Sequence, residues 1–566
     1  MDLTEAKNLV KDAYDRKLSR KTRQDGDIDM YHLVPYEMKD YDGEKLKEVD
    51  NITLNEPKVF ADKVISTTLS SNPQTAVEGE RLNDDDAAAI EEIIKEVELR
   101  ADSERESVGL EPVIVEDVRS RSILGECAER VLVYYRDGEL RCDITPLDTR
   151  FFTFDYDHKG LTWGNYETTR PVSQIEAVYN IKLNESHDKE MTVCDFWHRD
   201  NKVNLVYLKG GQLLQEEDSS NIDPDGNPFI PFAFQGSSVG SSFQGKDQEK
   251  YRNEGIYCLN RALYAELNKT ATILQTQTRM AMRPGYQLEN SQGANVTLPD
   301  EHPAKSGRMT GVEIGGGYEI VPTPDMIQAT RLWFSMLMSA LEKGSLPATD
   351  YGSLQFPLPA VAIYELKEAG DRIYSPVFQT LSRLWQQRAR IIAWQLIALG
   401  GSVTFGKGSQ AKSLDTSVLN KPYEIKYSFN PKSPKLEAAN YTLASVAKEH
   451  LPQDEIDEHI LKLDNPAAIK IKRGIEWAEK IDPVTKLRNM AHNLVDAADD
   501  GDESQRWVAE RLTTLAEQLI KREAMGQEIN INEPDSSKPN PQALMPLYGG
   551  GGGGGRKTKQ EAEVGG

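Results

Sequence analysis

The chain has 566 residues, 38% hydrophobic and 28% charged, with a formal net charge of −23. That length exceeds a single simple core, so two to four domains are expected. The acidic excess argues against a protein that grips nucleic acid, since phosphate affinity comes from Lys and Arg, but acidic walls are compatible with letting nucleic acid slide past. Cys127, Cys142, Cys194 and Cys258 show no paired spacing, which fits a reducing compartment and speaks against a zinc or disulfide scaffold. The N-terminus MDLTEAKNLVKDAYDRK is charged from its second residue, unlike a secretory signal, and the apolar run from Ile391 to Leu399 is far too short for a bilayer.

In chain order, residues 2–24 read as an amphipathic helix whose "RKLSRKTR" forms a solvated face. "NEPKVFADKVISTTLSSNPQ" reads as a short helix with Val59, Phe60, Val64 and Ile65 on one side and Pro73 ending it. Residues 78–106 form an acidic helix with Ile90, Ile93, Ile94, Val97 and Leu99 turned inward. From about 128 to 235 the period becomes two: "RVLVYYRDGELRCDIT" is a hairpin turning at Asp137-Gly138, and "TVCDFWHRDNKVNLVYLKGG" repeats the pattern. Helix returns in "KDQEKYRNEGIYCLNRALYAELNKTATILQTQTRMAM", with a stripe of Ile256, Leu259, Leu263, Leu267, Thr270, Leu274 and Met282. Pro284-Gly285 stops it, a Gly-rich β-like segment follows, and a second helix opens with Thr323 as N-cap and Pro324 at its first position. "GSLPATDYGSLQFPLPAVAIYELKEAG" interrupts the helical pattern before a third long helix, 360–399, where Pro376 predicts a kink near Tyr374. Residues 401–430 are β-like, 434–527 helical, and the Gly-rich end is low-complexity and expected to be disordered.

Motifs for chemistry are weak. "GSSFQGKD", Gly240 to Asp247, matches the phosphate-loop spacing, but Asp247 stands where the magnesium-binding hydroxyl belongs. The histidines at 32, 158, 187, 198, 302, 450, 459 and 492 make no metal-binding pair. In "DEIDEHILKLD", Asp454, Asp457, Glu458 and His459 read as a solvated acidic face, and no nucleophile elbow is present.

The order of parts is the informative feature: an α/β body, a helix, a small β module, a returning helix, a Pro/Gly loop, a long helix, β again and a helical end. Together with "NEPKVFADKVISTTLSSNP", "GSSVGSSFQGKDQ", "LNKTATILQTQTRMAMRPGYQL" and the segment from Leu346 to Ile397, this layout resembles the portal proteins of tailed bacteriophages. The resemblance implies an α+β portal-type fold: wing 1–244, first stem helix 245–283, clip 284–322, second stem helix 323–343, tunnel loop 344–359, wing again 360–430, crown 431–530 and a disordered tail 531–566. It further implies a ring, usually of twelve copies, at one capsid vertex of the virion, assembled in the host cytoplasm. Such a ring is a channel for packaging and ejecting double-stranded DNA and docks the terminase large subunit, head-tail adaptors, and major capsid and scaffolding proteins. Catalysis, cofactor, metal and membrane are not expected. In that layout Asp350, Tyr351, Ser353, Leu354, Gln355 and Phe356 form the tunnel loop facing DNA. Lys269, Arg279, Arg283 and Arg331 are candidate phosphate contacts or intersubunit ion-pair partners, and Lys305, Arg308 and Met309 are candidate clip contacts. Two alternatives stay open, a P-loop NTPase of the packaging machinery and another ring-forming head-tail structural protein.

Overall fold

In the computed structural model the N-terminal sequence forms helix α1 (Leu3–Tyr31), closed at its start by a capping box between Asp2 and Glu5. The structure describes residues 1–524 except 48, 80–81, 137–138, 220, 242, 246–247, 283–285, 290–316, 321–326, 347–359, 406–411, 432–440, 442, 449, 462, 464–465 and 500–502. The expected N-cap at Thr323 and the expected disordered tail lie outside these residues. The chain divides into two units, Met1–Gly474 and Ile475–Gly566.

Four short-range patterns are realised in the first unit. Helix α2 (Glu56–Leu69) buries Phe60, Val64 and Ile65 but leaves Val59 exposed, and Pro73 lies within strand β1 (Ser71–Glu78). Helix α3 (Asp84–Ser107), capped by the Asn83 side chain, turns Ile90, Ile93, Ile94 and Val97 into the core, while Leu99 faces solvent. Helix α4 (Val113–Leu124) ends at Gly125, in the left-handed region at φ +79°. Strands β2 (Glu126–Arg136) and β3 (Glu139–Leu147) then form the expected hairpin, pairing Arg136 with Glu139.

Strands β4 (Phe152–Asp157), β5 (Gly160–Pro171), β6 (Glu190–His198), β7 (Val203–Leu208) and β8 (Leu213–Asp218) make an antiparallel meander, with helix α5 (Val172–Tyr179) between β5 and β6. The first half of α1 covers it, seating Ala6, Val10 and Ala13 on Trp163, Phe196, Leu205 and Tyr207. Strand β9 (Phe232–Gly236) joins β2 antiparallel. Beyond it come helix α6 (Arg261–Met282), strands β10 (Tyr286–Glu289) and β11 (Gly317–Ile320), helix α7 (Ile327–Lys343) and helix α8 (Ala360–Leu399). Strands β12 (Ser402–Phe405) and β13 (Lys412–Asp415) form a hairpin, and β14 (Glu424–Pro431) returns to pair with β1. Every described strand pair is antiparallel, so the fold is α+β.

Helix α8 organises the main core. Leu381, Leu384, Ile392 and Leu396 are buried against the sheets, and Trp385 meets Tyr427 and Phe429 edge-on. It also completes a broken ladder. Residues 126–130 of β2 pair with β9, but Pro231 has no N–H to extend that pairing. The Gln395 amide takes over, accepting from Val133 N at 2.6 Å and donating to Val131 O at 2.9 Å, as a neighbouring strand would. At Pro376 the helix continues as one element. Thr380 Oγ1 donates to Pro376 O and accepts from Arg121, a fully buried guanidinium that burial pushes down to about 10.

Two ionic clusters are buried. In the first, Asp117 of α4 and Glu129 of β2 lie side by side, with Arg388 of α8 3.5 Å from both Glu129 and Glu98 of α3. Burial pushes Glu129 well above the usual carboxylate range and raises Asp117, and for Glu129 the neighbouring Asp117 charge adds to the rise while Arg388 opposes it. The folded state thus holds a proton that the unfolded chain releases near pH 4–5. Stability is fully present below that window and falls as pH rises toward the raised folded value. Glu129→Gln, which keeps the side-chain volume and removes the titrating proton, should flatten this loss. Its melting temperature is expected to exceed that of the parent at about pH 9 and to match it near pH 5, as scanning calorimetry would show.

The second cluster corrects the expected solvated face, because Arg20 and Arg23 are only 5% and 6% exposed. Arg20 Nη1 lies 2.8 Å from Glu126, while Arg261 bridges Asp27 and Glu254 at 2.6 Å each. Arg23 donates to the carbonyls of Lys250, Arg252 and Asn253 at 2.8–3.0 Å. Those carbonyls belong to the segment expected to begin one long helix over 245–283. Instead only a 3₁₀ turn forms at Gln248–Tyr251, and the chain runs non-helically until α6 starts at Arg261. Two glycines let it lie flat against α4: a Cβ on Gly125 would come within 2.2 Å of Asn253 O, and one on Gly255 within 2.3 Å of Ile123 O. Asp27→Ala strips a fully buried carboxylate from Arg261 and should cost about 3–5 kcal/mol in urea unfolding.

Candidate functional site

Helices α6 and α7 leave the body as an antiparallel pair joined through the β10–β11 ribbon. Their base is fixed by Asn260, whose Nδ2 donates to Leu341 O at 3.1 Å. Its Oδ1 sits where a Cβ on Gly344 would fall, so the first residue of the interrupting loop must be glycine.

The polar face of α6 that carries Asn268, Thr272 and Thr276 has a specific use. Residues 50–54 lie extended along it, and alternate amides donate to side chains one helical turn apart. Leu54 N meets Asn268 Oδ1 at 2.9 Å, Ile52 N meets Thr272 Oγ1 at 3.0 Å, and Asp50 N meets Thr276 Oγ1 at 3.1 Å. Arg279 closes the series on the Asp50 carboxylate at 2.9 Å. The strap folds back on itself through Thr53 and Asn51, which accept from Tyr36 N and Met38 N. Sequence reasoning missed this strap. Thr272→Val with Thr276→Val removes two acceptors at nearly constant volume. It should raise amide exchange at residues 50–52, read by mass spectrometry, and cost about 1–3 kcal/mol of stability.

On α7, Phe334, Leu337, Met338 and Leu341 face the core. The opposite side carries Leu332, Trp333 and Met336, which remain 66%, 46% and 56% exposed. The run "LWFSMLM" is therefore apolar on both sides, whereas a helix of a self-sufficient domain presents one apolar stripe.

The predicted basic contacts distribute unevenly. Arg331 is exposed on α7. Lys269 is half exposed, 3.8 Å from Glu266, and Arg279 is held by Asp50. Arg283, the clip residues Lys305, Arg308 and Met309, and the loop residues Asp350, Tyr351, Ser353, Leu354, Gln355 and Phe356 lie outside the described residues.

Other chemistry is not assembled. A phosphate loop needs a helix N-terminus directly behind it. The strand before Gly240 is antiparallel, and the next α-helix waits until Arg261. Lys246 and Asp247 themselves lie outside the described residues. Among the described residues no group of three or more His, Cys, Asp or Glu side chains is placed to hold a metal, and no helix is long and apolar enough to cross a membrane. Asp457 is buried and bonded to Arg473 and Gln453, not solvated as expected. A cavity of about 600 Å³ beside α1 holds Lys17, whose Nζ donates to Phe154 O at 2.9 Å and lies over the Phe154 ring. Burial and then Arg20 push its amine down to about 7, but no nucleophile–base pair accompanies it.

No family model matches the chain, and no curated protein matches it. Among solved structures the chain is similar to one from the virion of a native gene transfer agent particle, with 12% identity and a TM-score of 0.39 over 72% of this chain and 89% of that one. It is also similar to one from the neck of the native particle computed with C12 symmetry, at 11% identity, TM-score 0.38 and coverage of 71% and 88%. A third, from the neck of the empty particle computed with C6 symmetry, gives 12% identity, TM-score 0.37 and coverage of 72% and 89%.

Proposed function

We propose that this chain is the subunit of a ring-shaped portal at a capsid vertex, through which double-stranded DNA enters and leaves. The observation that carries the reading is the second apolar stripe of α7, Leu332, Trp333 and Met336. An arm of two helices cannot bury that stripe itself, and its outer side requires a partner helix. A contact between two different faces of identical copies closes into a ring when the rotation permits. The element order of helix, β ribbon and returning helix supports the same reading.

In this assignment α6 and α7 are the stem, the β10–β11 ribbon with the residues between them is the clip that docks the terminase large subunit and head-tail adaptors, and 344–359 is the tunnel loop. The net charge of −23 per copy gives the ring a repulsive wall against phosphates, and Arg331 is an exposed stem cation for weak, sequence-independent contact. Such a subunit needs no catalytic residue.

End-on electron micrographs of the purified chain should show rings with a hole wide enough for duplex DNA. Leu332→Ser/Trp333→Ser/Met336→Ser should yield monomers by light scattering with an unchanged far-ultraviolet spectrum. A parent chain that stays monomeric at micromolar concentration overturns the reading. A closed ring without a central hole favours another head-tail structural protein.

A further inference from the structure

The unit from Ile475 onward exposes several of its large apolar side chains. Helix α9 (Pro466–Ile481) runs into it, followed by α10 (Pro483–Asp499) and α11 (Glu503–Ala524), the last two packed as a hairpin. Among the described residues its buried apolar positions are Val484, Ala491, Ala509 and Ala516. On α11 the half-buried Leu512 and Leu519 complete a three–four spacing with the two alanines. The large apolar groups point the other way. Trp477 is 67% exposed, Trp507 65% and Ile481 61%, with Met490 and Leu515 also open. A hairpin stabilised by its own core places these residues inside.

We propose that this outward face is a second self-contact, in which the end of α9 and α10 of one copy pack against α11 of the next. The inference rests on the ring reading above and specifies a contact separate from the α7 stripe. Two observations select a second copy as the occupant. The exposed large side chains of this unit, Trp477, Ile481, Met490, Trp507 and Leu515 among them, offer an apolar surface to a partner of like character. The charges also match between the two helices. Lys486 sits one turn before Met490 on α10, and Glu510 one turn after Trp507 on α11, so apolar residue meets apolar residue while lysine meets glutamate. Because the paired faces differ, the contact propagates around a ring and does not stop at a dimer. Copies already gathered by the stem present these faces to one another at high effective concentration.

The test uses the full chain. Trp477→Ser/Trp507→Ser should weaken assembly at least tenfold in concentration-dependent light scattering. In the parent ring, both tryptophans should be shielded from acrylamide quenching relative to the monomer, measured by difference against Trp477→Phe/Trp507→Phe. Lys486→Glu should weaken assembly, and Lys486→Glu/Glu510→Lys should restore it. The proposal is overturned if rings form with unchanged midpoint in the serine variant. It also falls if the tryptophans stay quencher-accessible in the ring, are already shielded in the monomer, or if the charge swap fails to rescue. A parent chain that never assembles removes the ring reading itself. Loss of assembly only in the α7 variant keeps the ring and discards this contact.

Discussion

Much of the architecture depends on one guanidinium. Arg23, on a helix that touches solvent along much of its length, takes up three carbonyls of the segment 250–253. In a helix those oxygens would serve the backbone ladder. Once Arg23 binds them the segment has no reason to coil, and the glycines at 125 and 255 let it run backbone to backbone along the end of α4. The start of α6 is thereby moved to Arg261, whose own side chain joins the same cluster through Asp27 and Glu254. The ionic group thus fixes both the length of the arm's first helix and its attachment to the body. Burying such charges is costly unless every member is matched, so arm and body are coupled through a cluster that tolerates little loosening.

Local patterns were legible in the sequence where burial follows a regular period. The Ile90–Val97 face of α3 and the pairing of β2 with β3 both obey their spacing. The failures share a cause: polar side chains used inside. "RKLSRKTR" reads as a wet face because nothing nearby in sequence announces Glu126 or Glu254 as partners. On α8, Thr380, Arg388 and Gln395 are buried among apolar neighbours, and only the break of β9 at Pro231 explains why a glutamine belongs there.

The candidate site was legible as an order of elements, not as a set of contacts. Lys269, Arg279 and Arg331 fall on the two arm helices as the sequence placed them, yet Arg279 is engaged by Asp50, 229 residues away. The "NITLN" strap carries no period and no motif. Its acceptors are three polar residues on a helix some 214–226 residues later, and no one-dimensional pattern links the two. Likewise the exposed apolar stripe of α7 could be seen as hydrophobic, but which side lacked cover required the fold.

The strap and α6 behave as the two scales of a vernier. Two residues of extended chain advance about 6.6 Å and one four-residue helical step about 6 Å, so coincidences survive for only a few divisions before the marks drift apart. Three are used, at 268, 272 and 276, and the side chains at 264 and 280 are Tyr and Met. A strap slipped by one division would leave an amide without its mark at one end. The mismatch of pitch therefore sets a single zero for the strap against α6, a length reference made without any rigid rod.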